Sequence, residues 1–233
     1  MTTSPIAVVT GASRGLGLAC ATHLATCGYR IVGVARSTPD DSDVFERFVE
    51  ADLLDRSSVT AQIARVVREL GPIEACINMA GAASMNHFLT TPGDTYERLM
   101  GVNYLGTVAV TKAVAPGMVK ARRGRIINTS TVAVGYNLAG EAAYVASKAA
   151  VESLTRVLAN ELGPFGITVN AVAPPPVETR LLAGVPDDKV AALIQRQAIQ
   201  RMGEPADVMN VIDFFLSDAS SMVTGQVLRL GGP

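Results

Sequence analysis

Apolar residues fall into two rhythms along this chain. Short, nearly continuous β-branched runs such as IAVVT (residues 6–10) alternate with longer stretches in which apolar side chains return every three or four positions. The first rhythm predicts strands covered on both faces and the second predicts helices buried along one side; their alternation predicts βαβ units and a parallel sheet. Strands are expected at Ile6–Thr10, Arg30–Ala35, Arg47–Ala51, Ile73–Asn78, Arg125–Thr129, Thr168–Val172 and Gln226–Leu230. Helices are expected at Gly15–Cys27, Ser57–Leu70, Thr95–Lys120, Ala142–Leu162 and Pro205–Leu216. The connection RSTPDDSDVFE is too short and polar for a full crossover helix, so a loop or a helical turn is expected there. Residues 175–204 open on a stiff proline run and continue as short helices, which predicts a lid over a pocket. No repeat or linker divides the chain, so residues 1–233 are expected to form a single α/β domain.

Composition narrows the function classes. With 48% apolar and 18% charged residues the chain is globular, and a net charge of −1 gives no general attraction to nucleic acid or to an anionic membrane. The opening MTTSPIAVVTG has no basic, signal-like start, and no apolar run approaches a membrane span, so a soluble cytoplasmic protein is expected. Cys20, Cys27 and Cys76 show no disulfide or metal spacing and are expected to be buried structural thiols. His23 and His87 lack metal-ligand neighbours in sequence; His23 is expected to be structural, and His87 falls in a loop-like stretch that could border a pocket. No metal site is expected.

The segment VVTGASRGLGLACATHL places Gly11, Gly15 and Gly17 between the first strand and a helix. Glycines there allow a sharp turn and a close approach to a pyrophosphate, which the helix N-terminus favours electrostatically. Thr10 introduces a Gly-x-x-x-Gly-x-Gly spacing; NMAG follows at 78–81, and Tyr144 and Lys148 stand one helical turn apart in YVASK. With GRIINTS, GITVNAVAP and VTGQVLRLGG, these motifs resemble the short-chain dehydrogenase/reductase family over essentially the whole chain, in particular its 3-oxoacyl-[acyl-carrier-protein] reductase-like members. The resemblance implies a doubly wound Rossmann fold of about seven strands with helices on both faces, and a nicotinamide dinucleotide.

The cofactor-binding set implied is Gly11, Ser13, Arg14, Gly15, Leu16 and Gly17 in the first loop, with Arg36 and Ser37 after the second strand. Asp52 would hydrogen-bond the adenine amino group with Leu53 beside it, Asn78, Ala80 and Gly81 would line the adenosine ribose, and Pro174, Val177 and Thr179 would flank the nicotinamide. Met79 stands where a second Asn is more usual. The second strand ends in VARS with no acidic residue to accept from ribose hydroxyls, whereas Arg14 and Arg36 suit a 2′-phosphate, so NADP(H) is expected over NAD(H).

At the reacting end the resemblance makes Tyr144 the proton donor, Lys148 the group that lowers its pKa and holds the nicotinamide ribose, and Asn103 the anchor of a water leading to Lys148. The family's carbonyl-binding Ser lies thirteen residues before the Tyr, which is Thr131 here; Ser130 is one position early and should face the other way. Thr131 keeps a hydroxyl but adds a methyl group, and either could face inward. Pro175 replaces the usual Gly and removes an N–H. The expected activity is NADPH-dependent reduction of a carbonyl, including a 3-oxoacyl thioester or polyketide-like substrate. The alternatives are a cofactor-binding protein with little turnover, acting as a sensor or assembly subunit, or a non-redox reaction on a specialised metabolite. An acyl carrier protein is a possible partner, for which KARRGR (120–125) offers a basic cluster. The resemblance also implies a homo-oligomer, tetramer or dimer, built through the two long helices and the C-terminal strand.

Overall fold

Side chains of the first predicted strand divide between two apolar layers. In the computed structural model, which describes residues 4–40, 42–179, 181–182 and 185–232, Ile6 and Val8 of β1 (Ile6–Thr10) pack against α2 (Arg56–Leu70) and α4 (Gly106–Ala121). Ala7 and Val9 point the other way, toward α1 (Gly15–Thr26) and α8 (Pro205–Leu216). The period-2 alternation of a strand thus feeds two cores at once, which is why IAVVT carries no polar residue before Thr10. The remaining strands are β2 (Arg30–Ala35), β3 (Phe45–Glu50), β4 (Ala75–Asn78), β5 (Gly124–Thr129), β6 (Ile167–Ala173) and β7 (Val227–Arg229). All seven are parallel, in the order β3-β2-β1-β4-β5-β6-β7. The order reverses between β1 and β4, and the crevice beyond the carboxyl ends at that point is where this doubly wound fold binds ligands.

The predicted strands all occur. β3 starts two residues earlier than expected because it is an edge strand whose sequence, FERFVE, alternates only loosely. Among the described residues the connection before it holds no helix. The predicted Thr95–Lys120 helix is three pieces on one axis: α3 (Gly93–Leu99), a wider π-helical turn at Met100–Leu105, and α4. Gly101 and Gly106 border that turn, where a Cβ would come within 2.6 Å of Leu54 and 2.8 Å of Leu53. The helix therefore lies against the loop after β3, and the widened turn carries Asn103. Three further helices surround the crevice: α5 (Val132–Tyr136), which the sequence pattern did not reveal, α6 (Ala142–Leu162) and α7 (Asp187–Arg196) in the expected lid.

A buried amide chain joins the sheet to its helices. Asn78 Nδ2 donates to Asn128 Oδ1 at 2.9 Å and to Thr111 Oγ1 at 3.2 Å, and Asn128 Nδ2 donates to Thr155 Oγ1 at 2.8 Å. The Asn78 side chain therefore lies beneath the crevice, not along it as the ribose-lining expectation had it. Asn128→Ala would leave Asn78 and Thr155 each short of a partner. It should lower the unfolding free energy by about 2–4 kcal/mol, as measured by urea denaturation.

Candidate active site

The crevice holds a cleft of about 1040 Å³. Its floor at one end is the first glycine loop. Gly11 has φ +71°, and a Cβ there would come within 2.9 Å of Ala80 Cα; a Cβ on Gly17 would collide with the Gly11 carbonyl oxygen. The Ala80 N–H donates to Thr10 Oγ1 at 3.0 Å, which fixes the turn after β4 against the loop. Arg14 precedes α1 without a side-chain cap, and the helix has no acidic residue in its first turn. Its first N–H groups thus keep their positive end free at the cleft, and the bare glycines leave room for a pyrophosphate, so the loop fits a dinucleotide.

Ser13, Leu16, Asp52, Leu53 and Gly81 border the cleft together with Arg14 and Arg36. Both arginines are exposed and, among the described residues, neither forms an ion pair. Asp52 accepts from the Leu54 N–H at 3.0 Å, which aligns its carboxylate at the rim. Ser37 does not reach the cleft wall.

The opposite end gathers the reacting groups. Tyr144 and Lys148 lie on one face of α6, both buried. Lys148 Nζ donates to the Thr129 carbonyl oxygen at 2.8 Å, and burial lowers its pKa to about 8. Burial pushes Tyr144 up to about 12, while the nearby Thr131 hydroxyl pulls it down. Lys148 is not among the groups that shift the phenol here, and at that pKa the phenol stays protonated at neutral pH. Thr131 Oγ1 also accepts from the Ala133 N–H at 3.2 Å as the cap of α5, which turns the oxygen, not the methyl, toward Tyr144. Ser130 faces the other way: its Oγ donates to buried Glu152 at 2.8 Å, and Glu152 in turn accepts from Arg229 at 2.8 Å.

Asn103 is fully buried and works as a clamp. Its Oδ1 accepts from the Ala82 N–H at 2.8 Å, and its Nδ2 donates to the Ala82 carbonyl at 2.9 Å and to Ser147 Oγ at 2.8 Å. Ser147, which sequence reasoning passed over, donates to the Tyr144 carbonyl and so couples the π turn to the Tyr144 turn of α6. Pro174 and Val177 line the cleft, and Thr179 leans over the glycine loop, its Cγ2 3.8 Å from where a Cβ on Gly15 would sit. Leu182 and Leu193 of the expected lid add an apolar wall. Arg180, Ala183 and Gly184 fall outside the described residues.

Other sequence expectations are corrected by position. His87 caps a short 3-10 turn through the Leu89 N–H and does not line the cleft. Cys20 and Cys76 are buried with thiol pKa values pushed to about 12, but Cys27 is exposed. His23 does have neighbours: its Nε2 lies 2.9 Å from Asp213, because α1 and α8 pack side by side, and 3.7 Å from Cys27 Sγ one turn along its own helix. In the KARRGR cluster, Arg123 and Arg125 pair with Asp218, and Arg123 also with Glu74. That cluster sits where β5 begins, at the end of the sheet away from the cleft.

One wall residue was not foreseen. Glu141, 7% exposed, lines the cleft three residues before Tyr144, and its Oε2 has no hydrogen-bond partner. The Asn86 N–H donates to the Gly140 carbonyl at 2.8 Å and closes the loop that covers it. Burial raises its pKa from 4.5 to about 7, against a pull from Lys189. The only sequence signal was its i, i+3 spacing from Tyr144. Between those two pH values the unfolded chain binds fewer protons than the native one, so stability falls as pH rises. Glu141→Gln removes this dependence. Its advantage in unfolding free energy over the parent should grow by about 2–3 kcal/mol from pH 5 to pH 8, read from denaturant curves at each pH.

Comparison with known proteins agrees with this arrangement. A family model described as enoyl-(acyl carrier protein) reductase matches residues 11–232. A 3-oxoacyl-[acyl-carrier-protein] reductase of Vibrio harveyi is 33% identical, over 97% of this chain and 96% of its own. One of Pseudomonas aeruginosa is 34% identical with the same coverage, 97% and 96%. The ligand-free structure of Thermoplasma acidophilum aldohexose dehydrogenase superposes with a TM-score of 0.89 at 28% identity, covering 98% of this chain and 93% of that one. With the glycine loop, the reversed strand order and the paired Tyr144 and Lys148 in one cleft, the chain belongs to the short-chain dehydrogenase/reductase family.

Proposed function

We propose that this protein is an NADPH-dependent ketoreductase. The observation that carries the reading is that Thr131, Tyr144 and Lys148 line one cleft, with the Thr131 hydroxyl near the phenol and the Lys148 ammonium one helical turn behind it. The glycine loop and the α1 N-terminus would hold the pyrophosphate, Arg14 and Arg36 the 2′-phosphate, and Val177 and Thr179 the carboxamide, since Pro175 offers no N–H. Reduced nicotinamide, when bound, supplies hydride to the carbonyl carbon.

The chain's own residues handle the oxygen. Thr131 and Tyr144 converge as two hydroxyl donors on the carbonyl, and Tyr144, protonated at neutral pH, delivers its proton as negative charge develops. Lys148 sits close enough to Gly81 that a Cβ there would lie 3.3 Å from Nζ, so the ammonium lies against the loop after β4, from which it would reach the nicotinamide ribose. Asn103 holds that loop still. A cofactor-binding role without turnover drew on Thr131 and Pro175; a Thr131 hydroxyl near the phenol favours turnover over that role.

The substrate is a carbonyl compound, with 3-oxoacyl thioesters favoured by the names of the relatives and polyketide-like ketones close in chemistry. An acyl carrier protein docking through KARRGR gains no support from that cluster's distance from the cleft or its acidic partners. The reading includes a cytoplasmic homo-oligomer, tetramer or dimer, assembled through α4 and α6, where Val157 is left 49% exposed. Among the described residues no helix is long and apolar enough to cross a membrane.

Purified protein should oxidise NADPH in the presence of acetoacetyl thioesters or diketones. Tyr144→Phe should reduce turnover by about a thousandfold or more, whereas Thr131→Ser should leave it within a few-fold. No NADPH oxidation across the panel despite tight NADPH binding would overturn the proposal. Arg14→Ala with Arg36→Ala should weaken NADPH about tenfold or more and leave NADH little changed, by titration of cofactor fluorescence.

A further inference from the structure

Glu141 has no task in the chemistry above, yet the fold keeps a carboxyl in the cleft wall at a standing cost to stability. Its Oε2 is buried without a donor, and among the described residues no ion pair reaches it. Lys189 of α7 influences it from a distance but lies exposed on the lid and does not pair with it. Buried acceptors without partners are rare in native proteins, and one facing a ligand cleft is a place for a donor carried by the ligand.

We propose that Glu141 is a substrate-recognition residue that accepts a hydrogen bond from a hydroxyl on the carbonyl substrate, so that the cleft selects hydroxylated ketones and aldehydes over their deoxy counterparts. The assignment deepens the ketoreductase reading and rests on it. Its place sets the reach: Glu141 is the N-cap residue of α6, three positions before Tyr144, and its charge acts on the Tyr144 phenol, which puts the recognised hydroxyl within a few carbons of the carbonyl. Charge in the cleft favours a neutral donor. An ammonium would face Lys148 and the cleft-lining Arg98, and a carboxylate would face Glu141 itself. A hydroxyl suits a carboxyl in either protonation state, accepting from it when neutral and donating to it when ionised.

The test compares isosteric pairs in which a hydroxyl replaces a methyl group: hydroxyacetone with butanone, 4-hydroxy-2-butanone with 2-pentanone, and 5-hydroxy-2-pentanone with 2-hexanone. Both kcat/KM with NADPH and the affinity of the corresponding diols and mono-alcohols for the NADP⁺-loaded protein are measured. Intrinsic carbonyl reactivity is the same for every variant, so the change of the ratio between variants isolates Glu141.

For at least one pair the parent should prefer the hydroxylated member about tenfold or more, mainly through KM, as expected for a hydrogen bond to a charged acceptor. Glu141→Leu should bring the ratio to that of the other pairs, Glu141→Gln should restore part of it through its amide oxygen, and Lys189→Met should leave it intact. A ratio that survives Glu141→Leu, or one that Lys189→Met abolishes equally, overturns the role of Glu141 while leaving the reductase in place. The absence of any preference in both readouts does the same. A diol preference lost in Glu141→Leu, but with no turnover by the parent, keeps the recognition site and overturns the reductase reading instead.

Discussion

Lys148 is 3% exposed and keeps one protein hydrogen bond, from Nζ to the Thr129 carbonyl oxygen. An ammonium so placed has lost most of its hydration, and the surrounding structure must hold it there. Thr129 ends β5, so the partner oxygen is fixed by the sheet. Gly81 lies close on another side, where any side chain would crowd Nζ, and Asn103 clamps the next residue of that loop from the π turn. Sheet, loop and helix therefore all meet at one buried charge. The extra residue in the helix before α4 makes sense in these terms, because it swings the Asn103 amide into the loop while Gly101 and Gly106 let the helix come close.

Polar interactions in this fold fall into two systems that meet at residues 128–131. The amide chain of Asn78, Asn128 and Thr155 and the ion pair of Glu152 with Arg229 stiffen the back of the sheet. Thr131 and Lys148 face forward into the cleft. Along the extended segment from Asn128 to Thr131, successive side chains alternate between these systems, so Ser130 serves the ion pair and Thr131 the cleft. The front hydroxyl has bonded neighbours behind it, Asn128 in the amide chain and Ser130 on Glu152.

Much of this was legible in the sequence, for reasons that can be named. Strand runs such as IAVVT are continuous because both faces are covered, and Tyr144 and Lys148 share a face by helical arithmetic alone. Counting along an extended segment also separated Thr131 from Ser130. What stayed hidden depends on contacts between distant segments. The direction of the Thr131 oxygen is set by α5, a five-residue helix with too little periodicity to detect. Glu141 looked like any acid at a helix start until the Asn86–Gly140 bond closed a loop over it. Asn78 was assigned by motif to the cleft, but its amide was taken up by residues 33 and 50 positions away. His23 met Asp213 across 190 residues of chain.

The proline that replaces glycine at 175 has a bearing on how this sequence can change. Pro175 lies against Gly203, where a Cβ would come within 2.5 Å of the proline Cγ and 3.2 Å of Val177 Cγ2, and the Gly203 N–H donates to the Pro176 carbonyl at 2.8 Å. Neither contact atom can give way freely, one belonging to a ring and the other to a β-branched chain. Position 203 thus accepts no side chain while 175 is proline. Descendants of this chain are confined to one order of events: the proline must go before residue 203 can take a side chain, and Val177 keeps that space tight even then. The two positions are a ratchet in sequence space, set 28 residues apart by the lid between them.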